Sequence, residues 1–182
     1  MARFDASTAT CLVYTFKDGL LSKLAHDLKL EVTSFTIEAG PEGITANFDP
    51  SALRVVCCMR HGNPAPGTLS ARDKRTIEGS IAKEILKASR HPDITFRSTQ
   101  LALREDGGYT IEGQLSMHGH TRNLSMRAYR KGDTLEASVR LHQPDFGIKP
   151  YKALMGTLKI KPEVEVTLSL PADALLADLQ SV

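Results

Sequence analysis

The chain has 182 residues, 41% apolar and 24% charged, which suits one globular domain over residues 1–182 and excludes a mainly disordered chain. Its 23 Lys and Arg against 21 Asp and Glu leave a net charge of +2, and aromatic residues are 5% with no Trp. Neither the basic excess nor the stacking platform of a nucleic-acid binder is present, and no window approaches the roughly 18 apolar residues of a membrane-spanning helix.

The first residues carry no apolar run, so no secretory signal is expected and the expected location is the cytoplasm. The three cysteines, Cys11, Cys57 and Cys58, are odd in number and two are adjacent, which predicts reduced thiols rather than a disulfide framework. A strand is predicted from Thr10 to Phe16, then a short helical turn around Gly19 to Ala25. Leu28, Leu30 and Val32 alternate with polar residues, as do Ile44, Ala46 and Phe48, and Leu53 to Cys57 continues the series. Period-2 alternation is the pattern of half-buried strands, with apolar groups on one face.

The Gly- and Pro-rich stretch from Arg60 to Gly67 reads as a loop. Ser70 and Asp73, three apart, then read as a helix start. Ile77, Ile81, Ile85 and Leu86 recur at helical spacing, and His91-Pro92 closes a helix over residues 71–90, which Gly79 could divide. From residue 94 to 142 four strands follow in a meander. Their apolar faces carry Ile94 and Phe96; then Tyr109, Ile111, Gly113, Leu115 and Met117; then Leu124, Met126 and Ala128; then Leu135, Ala137, Val139 and Leu141. Asp106-Gly107-Gly108, Gly119 and Lys131-Gly132-Asp133 supply tight turns between them. Val164, Val166, Leu168 and Leu170 form a last strand. A short C-terminal helix over Pro171 to Leu179 puts Leu175, Leu176 and Leu179 on one face.

These elements predict a mainly β protein of eight or nine antiparallel strands. A sheet with one greasy face must pack on another or close on itself, and consecutive hairpins favour closure. The expectation is an eight-stranded antiparallel barrel with the helix at 71–90 over one end.

Leu24-Ala-His-Asp27 before an alternating strand resembles the YceI-like family. So do the segment from Arg72-Asp73 through His91-Pro92-Asp-Ile-Thr-Phe-Arg-Ser98, the stretch from Gly113 to Arg122, and Asp145-Phe-Gly-Ile148. The matches keep their order over about residues 10 to 170. The resemblance implies a lipocalin-like barrel with a hydrophobic tunnel that holds a polyisoprenoid or another amphiphilic lipid.

The tunnel wall would come from Leu115, Met117, Leu124, Met126, Val139, Leu141, Val166 and Leu168, although the same alternation also describes an ordinary filled core. Arg72, Lys74 and Arg75 cluster at the start of the lid helix, and Lys149, Tyr151 and Lys152 cluster in the loop after Phe146-Gly147. If both border one mouth, they present cations to an anionic head group; otherwise they form a solvated rim. His26-Asp27 point to opposite faces on an extended chain, so a turn role is expected for them. His118 and His120 could face one metal only if they shared a strand face, and Gly119 between them reads as a turn, so no metal site is expected. Cys57-Cys58 lacks a redox spacer, and with alternation one of the two is expected to be buried.

The expected function is therefore non-catalytic binding or transport of an apolar-chain lipid: a polyisoprenoid, a quinone or a fatty-chain amphiphile. No cofactor is expected beyond a co-purified isoprenoid or similar lipid. The partner is an amphiphilic lipid rather than nucleic acid, and a homodimer stays open. The alternatives are an enzyme on the same barrel using His26, His118 or His120, and a structural or stress-response module without a ligand.

Overall fold

The computed structural model describes residues 1–18, 26–153 and 158–174. Its strands in chain order are β1 (Ala2–Asp5), β2 (Thr10–Lys17), β3 (Asp27–Val32), β4 (Phe35–Gly40), β5 (Gly43–Phe48), β6 (Leu53–Arg60) and β7 (Asn63–Ala65). After the helical segment come β8 (Ile94–Leu103), β9 (Tyr109–Met117), β10 (His120–Lys131), β11 (Thr134–His142), β12 (Lys152–Ala153) and β13 (Leu158–Pro171). They form one antiparallel sheet of order β1-β4-β5-β8-β9-β10-β11-β13-β2-β3-β6-β7, with β12 paired to β13. Two residue ranges read from the sequence, 19–25 and 175–182, lie outside the described residues, so the expected turn at Gly19 and most of the expected C-terminal helix are not placed; Ala172 to Ala174 begin a helical turn.

The expected eight-stranded closed barrel is corrected: the described residues form thirteen strands in a curled half-barrel whose hydrogen-bonded path does not return from β7 to β1. A bend divides one long hairpin in two. Bending at Thr33-Ser34 separates β3 from β4, and a 3-10 turn at Pro50–Ala52 separates β5 from β6. Thr33 N–H donates to Ala52 C=O at 2.9 Å and Asp49 N–H to Ser34 C=O at 3.1 Å, so pairing carries on across the bend. One arm of this hairpin joins β8 through β5, and the other joins β2 through β3. The hairpin thereby brings the two ends of the curled sheet around one apolar interior. The strands that the sequence reading did not name are β4 and the short β1, β7 and β12. The alternation Phe35, Ile37, Ala39 of β4 is plain in the sequence and is buried in the core.

The meander is as expected, with β8, β9, β10 and β11 neighbours in order. The turn between β9 and β10 holds only His118 and Gly119, with φ of 52° and 78°. Two successive positive values define the hairpin turn whose twist matches the flanking strands, and glycine meets the second at no steric cost.

The helical segment is shorter than expected. Helix α1 spans Ala71–Ser80, and a π-helical turn follows at Ile81–Ile85. Ser70 Oγ accepts from Asp73 N–H at 3.2 Å while Asp73 Oδ2 accepts from Ser70 N–H at 3.0 Å, the reciprocal cap the sequence indicates. The end is set not by Pro92 but by Lys87, whose φ of 48° leaves helical geometry. Two side chains of α1 anchor it on β6. There, Val56 is left without a Cα partner between Cys57, which pairs with Lys29, and Val55, which pairs with Leu30. This bulge frees backbone groups. Val55 N–H donates to Glu78 Oε1 at 2.8 Å, and Lys74 Nζ donates to Val56 C=O at 2.7 Å. Ile77 and Ile81 then pack against a small cluster of Leu28, Leu30, Val55 and Cys58.

All three cysteines are unbridged and buried, so the expectation that only one of the adjacent pair would be buried is corrected. Burial drives the Cys11 thiol up to about 12 and raises Cys58 as well. A thiol reagent at pH 8 should therefore label the native protein slowly and find three groups after denaturation without reductant. Finding one group would reveal a Cys57–Cys58 bridge.

Candidate functional site

Inside the half-barrel lies a cavity of about 420 Å³. It falls within the roughly 300–1,000 Å³ of small-molecule sites. Its wall is almost wholly hydrocarbon, drawn from β2, β3, β5, β8 to β11 and β13, with Thr76, Ile77, Ser80 and Ile81 of the helical segment across it. The reason lies in the alternation: each strand turns every second side chain inward, and curling brings those faces together.

All eight wall residues named from the sequence border this cavity: Leu115, Met117, Leu124, Met126, Val139, Leu141, Val166 and Leu168. The sequence reading places Leu28, Ile44, Ala46, Phe96 and Leu135 on apolar strand faces but does not assign them to the wall, and they line the cavity as well. Of the head-group candidates, only Tyr151 reaches the cavity. Arg72 and Arg75 lie on the exposed side of α1, Lys149 and Lys152 are exposed, and Lys74 is engaged by the Val56 carbonyl. Polar atoms in the wall are few. Gln143 is buried and its Nε2 donates to Lys161 C=O at 3.2 Å, whereas the buried Thr15 Oγ1 has no partner among the described residues.

His26 lines the cavity, but Asp27 does not pair with it: Asp27 Oδ1 accepts from Lys17 N–H at 2.7 Å and ties β2 to β3. His118 and His120 stand elsewhere, at the β9–β10 turn. His118 Nδ1 lies 3.2 Å from the Phe146 carbonyl, which makes Nδ1 the protonated nitrogen. Its ring packs 4.4 Å from that of His91, and its Nε2 is buried without a partner among the described residues. His120 Nδ1 faces the His118 carbonyl at 3.1 Å. Among the described residues no group of three or more His, Cys, Asp or Glu could hold a metal ion.

Burial first, then the neighbouring His91, Lys87 and His120, hold His118 below the ordinary histidine value of 6.5, against the opposing pull of the Phe146 carbonyl. The unfolded chain takes up a proton near 6.5 that the folded state refuses, so this contribution to stability is present above 6.5 and lost as pH falls below it. Denaturant melts at pH 7.5 and 5.5 should show a loss on acidification that His118→Gln reduces. Equal losses in both proteins would assign the effect to other groups.

A family model described as YceI-like domain matches residues 25–172. Among solved structures, BcnA of Burkholderia cenocepacia superposes with a TM-score of 0.62 at 13% identity, covering 91% of this chain and 97% of that one. A polyisoprenoid binding domain from Saccharophagus degradans, implicated in plant cell wall breakdown, gives 0.55 at 11% identity over 89% and 91%. Likeness at such identity concerns the fold. No curated protein matches the chain.

Proposed function

Since the chain belongs to the YceI-like family, we propose that it binds one apolar-chain amphiphile, with the chain held in the interior cavity. The carrying observation is the wall itself: about 420 Å³ lined by aliphatic side chains with few polar atoms. Such a site recognises length and hydrophobicity, and each buried methylene contributes about 0.8 kcal/mol. A polyisoprenoid, a quinone tail or a fatty chain would each suit it, and the neighbour from Saccharophagus degradans is described as a polyisoprenoid binding domain. In this reading the lipid is carried rather than converted. Of the three histidines considered for catalysis, only His26 borders the cavity, and the neighbouring Asp27 carboxylate is engaged by Lys17 N–H rather than by His26, which favours binding over catalysis. Three unbridged thiols fit a reducing compartment.

The deciding experiment is mass spectrometry of an organic extract of the purified protein. A stoichiometric lipid supports the reading. An empty extract, together with no uptake of farnesol by the delipidated protein, would overturn it.

Met126 tests the wall. It is half-buried where β10 borders the cavity. Met126→Asp places a carboxylate against hydrocarbon, where it must draw in water or lose hydration. Farnesol affinity should fall at least about tenfold. Arg75→Ala, on the exposed helix face, should leave it unchanged. Wild-type affinity in a folded Met126→Asp protein would place the chain elsewhere.

A further inference from the structure

The wall of the half-barrel has a gap. Strand β10 spans His120–Lys131 and β11 spans Thr134–His142, yet they pair only from Lys131↔Thr134 to Arg127↔Ser138. Beyond that point β10 stays paired with β9 as far as His120, and β11 stays paired with β13 as far as His142. The two facing edges therefore diverge, with Leu124, Met126 and Val139 half-buried along them. Met126, Ser138 and Val139 border both the interior cavity and a groove on the outer surface. Interior and exterior meet at the place where the ladder stops.

Alternation decides what each side of this gap offers. Met126 and Val139 turn inward, whereas Ser125, Arg127, Ser138 and Arg140 are exposed and line the groove. Arg127 makes no ion pair among the described residues. Arg140 reaches Glu165 only at 3.6 Å with its side chain 69% exposed, and Lys131 reaches Glu136 at 3.7 Å. The groove thus holds three cations against one carboxylate, Glu136. Unpaired strand edges add backbone N–H groups to the same opening.

The geometry points to a lateral portal: the amphiphile enters between β10 and β11, leaves its chain in the cavity, and seats an anionic head group, a phosphate or carboxylate, outside on Arg127 and Arg140. This rests on the proposed lipid-binding reading and adds the class of head group and its place. Guanidinium groups suit such an anion, because they offer paired donors in a planar fork. The helix-side cations Arg72 and Arg75 are not needed for it.

The test compares farnesyl phosphate with farnesol, on wild type and on Arg127→Ala/Arg140→Ala. Wild type should prefer the phosphate at least about tenfold. The double variant should bind farnesol as wild type does and lose the preference. Raising salt should erode the preference in wild type alone, since both arginines are exposed to solvent. Inorganic phosphate, without a chain to anchor it, should not compete at equal concentration. A preference that survives in the double variant, or is missing from wild type, overturns the portal seat while farnesol binding keeps the lipid reading intact. Equal competition by inorganic phosphate would make the groove a free-anion site and end the proposal. Failure of wild type to bind either probe would overturn the lipid reading and the seat together.

Discussion

Ala46→Trp is expected to weaken farnesol binding by at least about a hundredfold while the protein stays folded. Ala46 sits in β5 between Ile44 and Phe48, and all three line the cavity. Its methyl is only half-buried, so the position faces empty volume rather than close-packed neighbours. An indole there fills space that the ligand chain would otherwise occupy. Excluding about four methylenes at about 0.8 kcal/mol each removes about 3 kcal/mol of binding free energy. The fold has less to lose, since the added group is apolar and enters a void, where overpacking costs at most about 1–3 kcal/mol. The wild-type chain has no Trp, so the new indole is also a reporter. Its emission should be that of a buried ring. Wild-type affinity in a protein with a buried indole would mean that the chain does not use this cavity.

Gly113→Ala carries the largest expected loss of stability. Gly113 belongs to the inward series of β9, where Ile111, Leu115 and Met117 all carry large side chains. A Cβ at this position would come within 2.5 Å of the Arg97 carbonyl oxygen and 2.5 Å of Phe96 Cζ. The ring could turn aside, but the carbonyl is part of β8 and cannot move without disturbing the β8–β9 ladder, which already shifts register between Ser98 and Gln100. A loss of about 3 kcal/mol is expected. For a domain of this size it should lower Tm by roughly 6–12 °C. An unchanged melting temperature would show that β8 yields easily and that the glycine is not there for close approach.

Local pattern made much of this protein legible. The inward faces of β9, β10, β11 and β13 follow from alternation, because a pleated strand cannot turn neighbouring side chains the same way. For the same reason all eight wall residues read from the sequence do border one cavity. The cap at Ser70 and Asp73 and the turn at Gly119 were equally local, each fixed by the hydrogen-bonding reach or backbone freedom of one or two residues. Strand β4 is not among the strands expected from the sequence although Phe35, Ile37 and Ala39 alternate, and the union of β3–β4 and β5–β6 into one bent hairpin depends on pairing across Thr33-Ser34 and Pro50 that no local pattern carries.

By itself the sequence determined a mainly β chain with an apolar face on every long strand, a capped helix after the Gly- and Pro-rich loop, and membership of a family through the order of its motifs. Tertiary structure alone decided the rest. A residue's face is a local property, but whether that face meets packed side chains or a void depends on how far the sheet curls. Exposed cations look alike in sequence: Arg75 on α1 and Arg127 on β10 differ only because one lies on the outer side of a helix and the other beside the place where two strands part. Strand divergence leaves no mark in the residue pattern, since backbone pairing is indifferent to most side chains and is set by how the whole sheet closes.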